Sequence, residues 1–180
     1  MALTSIAGSN CWTRSEDRIA EHLSTLVSLR NFLGVETSEE AKAGNMFSYS
    51  MGLPADKDTF TKEEIASKWP ACVIGTPGDE EESITWTFRA SGPAFARAGI
   101  AEVQLWRLVD DTIGLGDEER VWQNTVGDII DELVSTRQLS DIQNISLTSG
   151  RSMPEEFSAV GEVHMAVINI QWGVAVDSGT

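Results

Sequence analysis

The feature that most constrains the fold of this chain is a long apolar stretch at residues 162–176. As one β-strand at about 3.3 Å per residue it would extend roughly 50 Å, whereas strands usually contain about 5 to 6 residues. Its apolar side chains alternate first on one face and then on the other, at Val163, Met165 and Val167 and then at Ile168, Ile170 and Trp172. A strand that is apolar on both faces is either central in its sheet or covered by another subunit.

The two apolar sets of this strand have different expected roles, because a small domain cannot cover such a length alone. We expect the earlier set, Val163, Met165 and Val167, to face the core of the domain. We expect the later set, Ile168, Ile170 and Trp172, to contact another subunit or a larger assembly.

Two segments have the periodicity of long amphipathic helices. The first, residues 15–33, follows capping-box spacing between Thr13 and Glu16 and stops before Gly34. The second, residues 121–137, follows acidic residues that favour a helix start. Between the first helix and the strands, residues 35–69 have a weaker pattern, which indicates an irregular excursion with one or two short helices.

Four further segments have the signature of strands. Residues 71–75 form a short apolar run, and residues 83–89 and 101–109 alternate between apolar and polar side chains. The last two are expected to pair as an antiparallel hairpin across a long loop at 90–99. A strand at 142–148 and a turn-rich segment up to Gly161 then precede the long final strand. The order predicts one α+β domain over residues 1–180, with an antiparallel or mixed sheet and two main amphipathic helices packed on one face.

Trp106 and Leu108 lie on the expected polar face of their strand, opposite Val103 and Leu105. An aromatic residue on that face indicates a second buried surface. We therefore expect Trp106 and Leu108 to lie at a subunit or tube interface. A sheet covered by helices on both faces is the alternative explanation.

Composition excludes several classes of function. The formal net charge is -15 and acidic residues outnumber basic ones 28 to 13, so an extended nucleic-acid-binding surface is not expected. The first ten residues lack the basic and apolar regions of a secretion signal, and no window of about 18 uninterrupted apolar residues predicts a membrane span.

Catalytic and metal-binding motifs are not evident in the sequence. His22 and His164 are isolated, the first on the flank of a helix and the second expected to face solvent or a partner. Acidic pairs occur at Asp110 with Asp111, and at Asp128 with Asp131 and Glu132, where a solvated surface is the simpler explanation. We therefore expect no enzyme activity, no metal and no cofactor.

The order of elements resembles that of the tail terminator, or tail-to-head joining, proteins of long-tailed bacteriophages. The resemblance covers most of the chain and is one of pattern. It is carried by the helix at 15–33, the Pro-led strand at 69–74, the hairpin through Trp86 and residues 102–106, the helix at 121–137 and the closing strand at 167–174.

This resemblance implies a structural virion protein of the tail-neck region, made in the host cytoplasm. Such proteins form a hexameric ring that caps the tail tube, stops its polymerisation and presents a surface to the head connector or stopper protein. DNA then passes through the channel without specific binding. The acidic segment Asp79, Glu80, Glu81 and Glu82 would be a lumen or docking loop. Another connector, stopper or tail-completion protein is the first alternative, and a small acidic hydrolase using a carboxylate pair is a more distant one.

Overall fold

The computed structural model of the chain describes residues 11–48, 69–75, 89–91, 94–110, 112–136, 144–157 and 161–177. In this part of the chain the helices are α1 (Cys11–Thr25), α2 (Val27–Leu33), α3 (Ser38–Gly44) and α4 (Leu115–Ser135). The strands are β1 (Met46–Ser48), β2 (Ala71–Ile74), β3 (Arg89–Ser91), β4 (Ala94–Leu108), β5 (Asn144–Phe157) and β6 (Gly161–Asp177).

The described strands form one mixed sheet in the order β1-β2-β4-β6-β5. β3 lies off this path and pairs with the first three residues of β4. The β1–β2 pair is parallel and every other pair is antiparallel. β6 contains the long apolar stretch and is hydrogen-bonded to β4 on one side and to β5 on the other. Its central position accounts for apolar side chains on both of its faces.

The register of the sheet sorts its residues into two apolar layers. Cross-strand partners Met46, Cys72, Leu105 and Ala166 form a row in the layer that packs against the helices. The neighbouring row, Ala71, Trp106 and Met165, belongs to a smaller cluster on the opposite face. Because side chains alternate along a strand, consecutive residues of β6 belong to different layers.

All four described helices contribute buried residues to the layer on one face of the sheet. α4 places Trp122, Ile129 and Leu133 in that layer along one helical stripe. The prediction of an α+β fold with a mixed sheet and helices on one face is thus confirmed.

The first helical segment is divided where the sequence predicted continuity. α1 ends at Thr25, Leu26 has an extended backbone, and α2 resumes at Val27. The predicted stop is correct, since Gly34 ends α2 in the left-handed region at φ 70°. Thr13 and Glu16 lie inside α1, so the predicted capping box does not mark its start.

Helix α3 is one of the short helices predicted for the excursion at 35–69; it has a capping box of Thr37 and Glu40 and leads into strand β1, which was not predicted. Regular structure also occupies two segments that the sequence suggested were loop or turn. The expected loop at 90–99 is instead the end of β3 and the first part of β4, whose hairpin register pairs Ser91 with Ala94. The expected turn-rich segment is the second half of β5, which pairs with β6 as far as Phe157. Pairing to a long neighbouring strand overrides the local turn signals of these segments.

Candidate functional site

The predicted division of β6 between core and interface is confirmed for its core residues and corrected for two of its interface residues. Ile168 and Ile170 are 1% and 0% exposed within the chain itself, in the layer beneath the helices. They are therefore not available to contact another subunit. Val163, Met165 and Val167 are 0%, 5% and 3% exposed, as their assignment to the core predicted, and the last two belong to the smaller layer on the opposite face. Alternation identifies which residues share a face, but it does not identify which face the helices cover.

Trp106 lies opposite Val103 and Leu105, as the alternation predicted, yet it is only 4% exposed. Its ring stacks on Trp69 at a centroid distance of 5.8 Å, and its Nε1 donates a 3.0 Å hydrogen bond to Gln104 Oε1. The expectation that Trp106 contacts a subunit is therefore corrected, because its surface is already covered within the chain.

Of the other residues predicted to form an interface or docking loop, one is partly exposed and the rest have side chains outside the described structure. Leu108, at the end of β4, is 37% exposed. Trp172 has its backbone paired with Gly99 and Ile145, while its side chain lies outside the described structure. The acidic segment Asp79, Glu80, Glu81 and Glu82 also lies outside the described residues.

A cluster of polar side chains is buried where the start of α4 meets the sheet. Glu118 is 2% exposed, and its Oε1 lies 2.5 Å from Arg107 Nη2. The same oxygen accepts a 3.2 Å hydrogen bond from the backbone N–H of Asp110. His164 Nε2 lies 3.3 Å from it, within ion-pair distance but without hydrogen-bond geometry. One carboxylate thus connects α4, β4, β6 and the loop after β4.

Aromatic contacts complete this cluster. The indole of Trp122 stacks on the imidazole of His164 at 5.3 Å, and the Arg107 guanidinium lies 5.6 Å from the indole centroid. Glu119 Oε2 lies 4.0 Å from His164 Nδ1 at the exposed edge. The expectation that His164 faces solvent or a partner is wrong, since the residue is 7% exposed.

Sequence reasoning missed this cluster because its members come from distant parts of the chain. Arg107 and His164 are direct partners across the β4–β6 register, and Glu118 joins them from the first turns of α4. The one local signal was Glu118 itself, four residues before the buried Trp122 on the same helical stripe. Since the carboxylate is enclosed, the arrangement is suited to fixing the start of α4 on the sheet.

A second carboxylate of α4 has a different structural role. Glu132 accepts hydrogen bonds from the backbone N–H groups of Val27 at 2.9 Å and Ser28 at 2.7 Å, and from the Ser28 hydroxyl. It caps the start of α2, where Leu26 offers no side-chain cap. Burial opposes the charged form, but the hydrogen bonds from Ser28 and Val27 outweigh it and lower the pKa of Glu132. The expectation of a purely solvated acidic face is therefore wrong for Glu132, although Asp128 and Asp131 are exposed.

Hydrogen bonds link the described residues between β4 and α4. Asp110 Oδ1 accepts from the backbone N–H of Thr112 at 2.9 Å and from its hydroxyl, and the pKa of Asp110 is lowered first by the hydroxyl and then by the N–H. The backbone N–H groups of Asp117 and Glu118 both donate to Gly114 O. Leu115, next to this glycine, is 79% exposed.

The cysteine and the carboxylates that could take part in catalysis lie in environments that do not activate them. Desolvation by burial raises the pKa of the Cys72 thiol to about 12, which makes it unreactive. Asp110 and Asp128 are exposed, so neither is a desolvated carboxylate. Within the described ranges, no group of three or more His, Cys, Asp or Glu side chains could hold a metal ion.

Among the described helices, none combines the length and apolar character needed to cross a membrane. No model of a known protein family matches the chain, and a search of curated proteins finds no match.

Proposed function

We propose that this chain is a structural virion protein similar to the tail terminators of long-tailed bacteriophages. Like those proteins, it forms a hexameric ring, which caps the tail tube in the neck region and joins it to the head connector or stopper. The partners in this proposal are other copies of the chain, the tail tube protein and the head-side protein.

The observation that carries the proposal is the length of the β4–β6 pair. The two strands stay in register through 15 positions, from Ala94 with Asp177 to Leu108 with Val163. At about 3.3 Å per residue this is roughly 50 Å of paired strand.

A strand pair of this length supports an assembly role because it offers a long surface on which neighbouring subunits can pack. Strands of 15 and 17 residues are about three times the usual length. A ring in which each subunit reaches its neighbours would use such a strand pair to bury additional surface.

The charge of the chain supports the same proposal. A net charge of -15 repels the phosphates of DNA, so a channel with this character would let DNA pass without binding it. Asp79, Glu80, Glu81 and Glu82 remain candidates for the lumen or a docking loop.

The proposal is tested by adding the purified chain to the elongating tail tube protein of the same virus. Native mass spectrometry reports the number of copies in the ring, and negative-stain images report tube lengths and end caps. We expect rings at one end of each tube and a shorter, narrower length distribution.

The matched control is bovine serum albumin, another acidic protein, at the same concentration. A chain that neither forms rings nor changes tube length would contradict the proposal. Rings that leave tubes unchanged but bind the head connector would favour a stopper or connector role instead.

A further inference from the structure

His164 lies between two carboxylates of α4, one near each nitrogen of its ring. Its Nε2 atom lies 3.3 Å from Glu118 Oε1, and its Nδ1 atom lies 4.0 Å from Glu119 Oε2. A neutral imidazole has one N–H and one unprotonated nitrogen, so either tautomer leaves a lone pair next to a carboxylate. A protonated ring has an N–H at both nitrogens. The two carboxylates therefore favour the charged ring.

The Nε2 atom of His164 is buried without a hydrogen bond. The side chain is 9% exposed, and among the described residues this nitrogen has no partner in hydrogen-bond geometry. A buried polar atom that stays unpaired costs about 1–3 kcal/mol. A proton on the ring would turn the 3.3 Å contact with Glu118 into an ion pair, which offsets part of this cost.

The charged groups around His164 are unbalanced while its ring is neutral. Arg107, its direct partner on β4, is the one cation that contacts the two carboxylates of Glu118 and Glu119, and it pairs with the first of them. On the other side of the strand, the register partner is Pro154 of β5, which has no charge. One positive and two negative groups therefore meet at the ring, and its protonation balances them.

Two effects oppose the proton, namely the burial of the imidazole and the positive charge of Arg107. The charge of Arg107 is already paired with Glu118, which weakens its repulsion. The indole of Trp122 stacks on the imidazole at 5.3 Å and attracts a cation at its face. The next charges along α4, Asp117 and Arg120, pair with each other. The contacts that favour the charged ring thus outnumber those that oppose it.

We propose that His164 is a pH-sensitive switch that strengthens the attachment of α4 to the sheet in mild acid. Imidazole is the side chain that ordinarily titrates between about pH 5 and 8. When the ring takes up a proton, β6 gains charged contacts with Glu118 and Glu119 in the first turns of the helix. Without that proton, Glu118 is held by Arg107 and by the backbone N–H of Asp110. The switch operates within one chain and does not depend on the proposed ring.

The test compares the wild type with His164→Gln by urea denaturation at about pH 7.5 and about pH 5.5. Glutamine keeps a polar side chain at this position but cannot take up a proton. Stability rises as pH falls wherever the folded chain binds more protons than the unfolded chain. Relative to His164→Gln, we expect the folding equilibrium constant of the wild type to increase about threefold or more over this range.

His22 provides the matched control, because the chain contains only two histidines. Burial lowers the pKa of His22, although Glu132 acts in the opposite direction. Its protonation therefore disfavours the folded state, which is the opposite sign to that expected for His164. His22→Gln should keep the gain of stability in acid and slightly increase it.

A second variant tests the switch without changing the histidine. Glu119 is 49% exposed, so Glu119→Gln should leave the fold intact while removing the carboxylate near Nδ1. We expect this variant to gain less stability in acid than the wild type. Equal pH dependence in the wild type and His164→Gln would overturn the switch. If His164→Gln does not fold, Glu119→Gln decides, since an undiminished gain in that variant would also overturn it.

Discussion

The two ends of α4 both use a carboxylate to attach the helix to the rest of the molecule, but the carboxylates work differently. Near the start, Glu118 is enclosed among charged and aromatic side chains from the sheet. Near the end, Glu132 binds the free backbone N–H groups of α2. The first attachment balances a buried charge and the second caps a helix. They should therefore respond differently to mutation and pH.

The largest difference is expected when the carboxylates are removed, and Glu118→Gln should have the greater effect. The change leaves the largely buried Arg107 without its counter-ion, at a cost of about 3 kcal/mol in the free energy of unfolding. Urea denaturation measures this loss. Glu119→Gln is the control, since that side chain is 49% exposed and its replacement should cost less than about 0.5 kcal/mol.

A double variant sharpens this prediction. Replacing Arg107 and Glu118 together by leucine removes the unpaired charge, so it should be less destabilising than Glu118→Leu alone.

For the single variants, equal losses of unfolding free energy in Glu118→Gln and Glu119→Gln would show that the buried ion pair is not the attachment we describe.

A smaller effect is expected at the other end of the helix. Glu132→Ala removes the cap of α2, and lost caps typically cost about 1 to 2 kcal/mol. Hydrogen exchange should become faster at the Val27 and Ser28 amides in particular. Asp131→Ala, one position earlier and exposed, is the control and should leave both amides protected. Unchanged exchange in Glu132→Ala would contradict the capping role.

The smallest effect is expected in the pH dependence of stability. Because the folded state lowers the pKa of Glu132 below its ordinary value of 4.5, its contribution is complete above that value and is lost as pH falls through the folded pKa. The wild type and Glu132→Ala should therefore differ in unfolding free energy at pH 7 and converge as pH falls below 4.5. Parallel curves from urea titrations across this range would show that another group carries the dependence.

The fold was largely predictable where a signal is local. The apolar periodicity of α4, the stop at Gly34 and the length of β6 all follow from the order of residues along the chain. The segments that failed, such as the start of β4 and the second half of β5, are strands because of the neighbours with which they pair. Local turn propensity cannot anticipate a partner that is distant in sequence.

The sequence by itself determined that β6 is a long strand with two apolar faces and that Trp106 lies opposite Leu105, because alternation is a property of the extended backbone. Only the tertiary structure decided which face the helices cover, and it buried Ile168 and Ile170 there. It also brought Arg107, Glu118 and His164 together, and left Leu108 exposed beside the loop that ends in Leu115. Burial depends on what other parts of the chain occupy the adjacent space, and no pattern within a single strand records that.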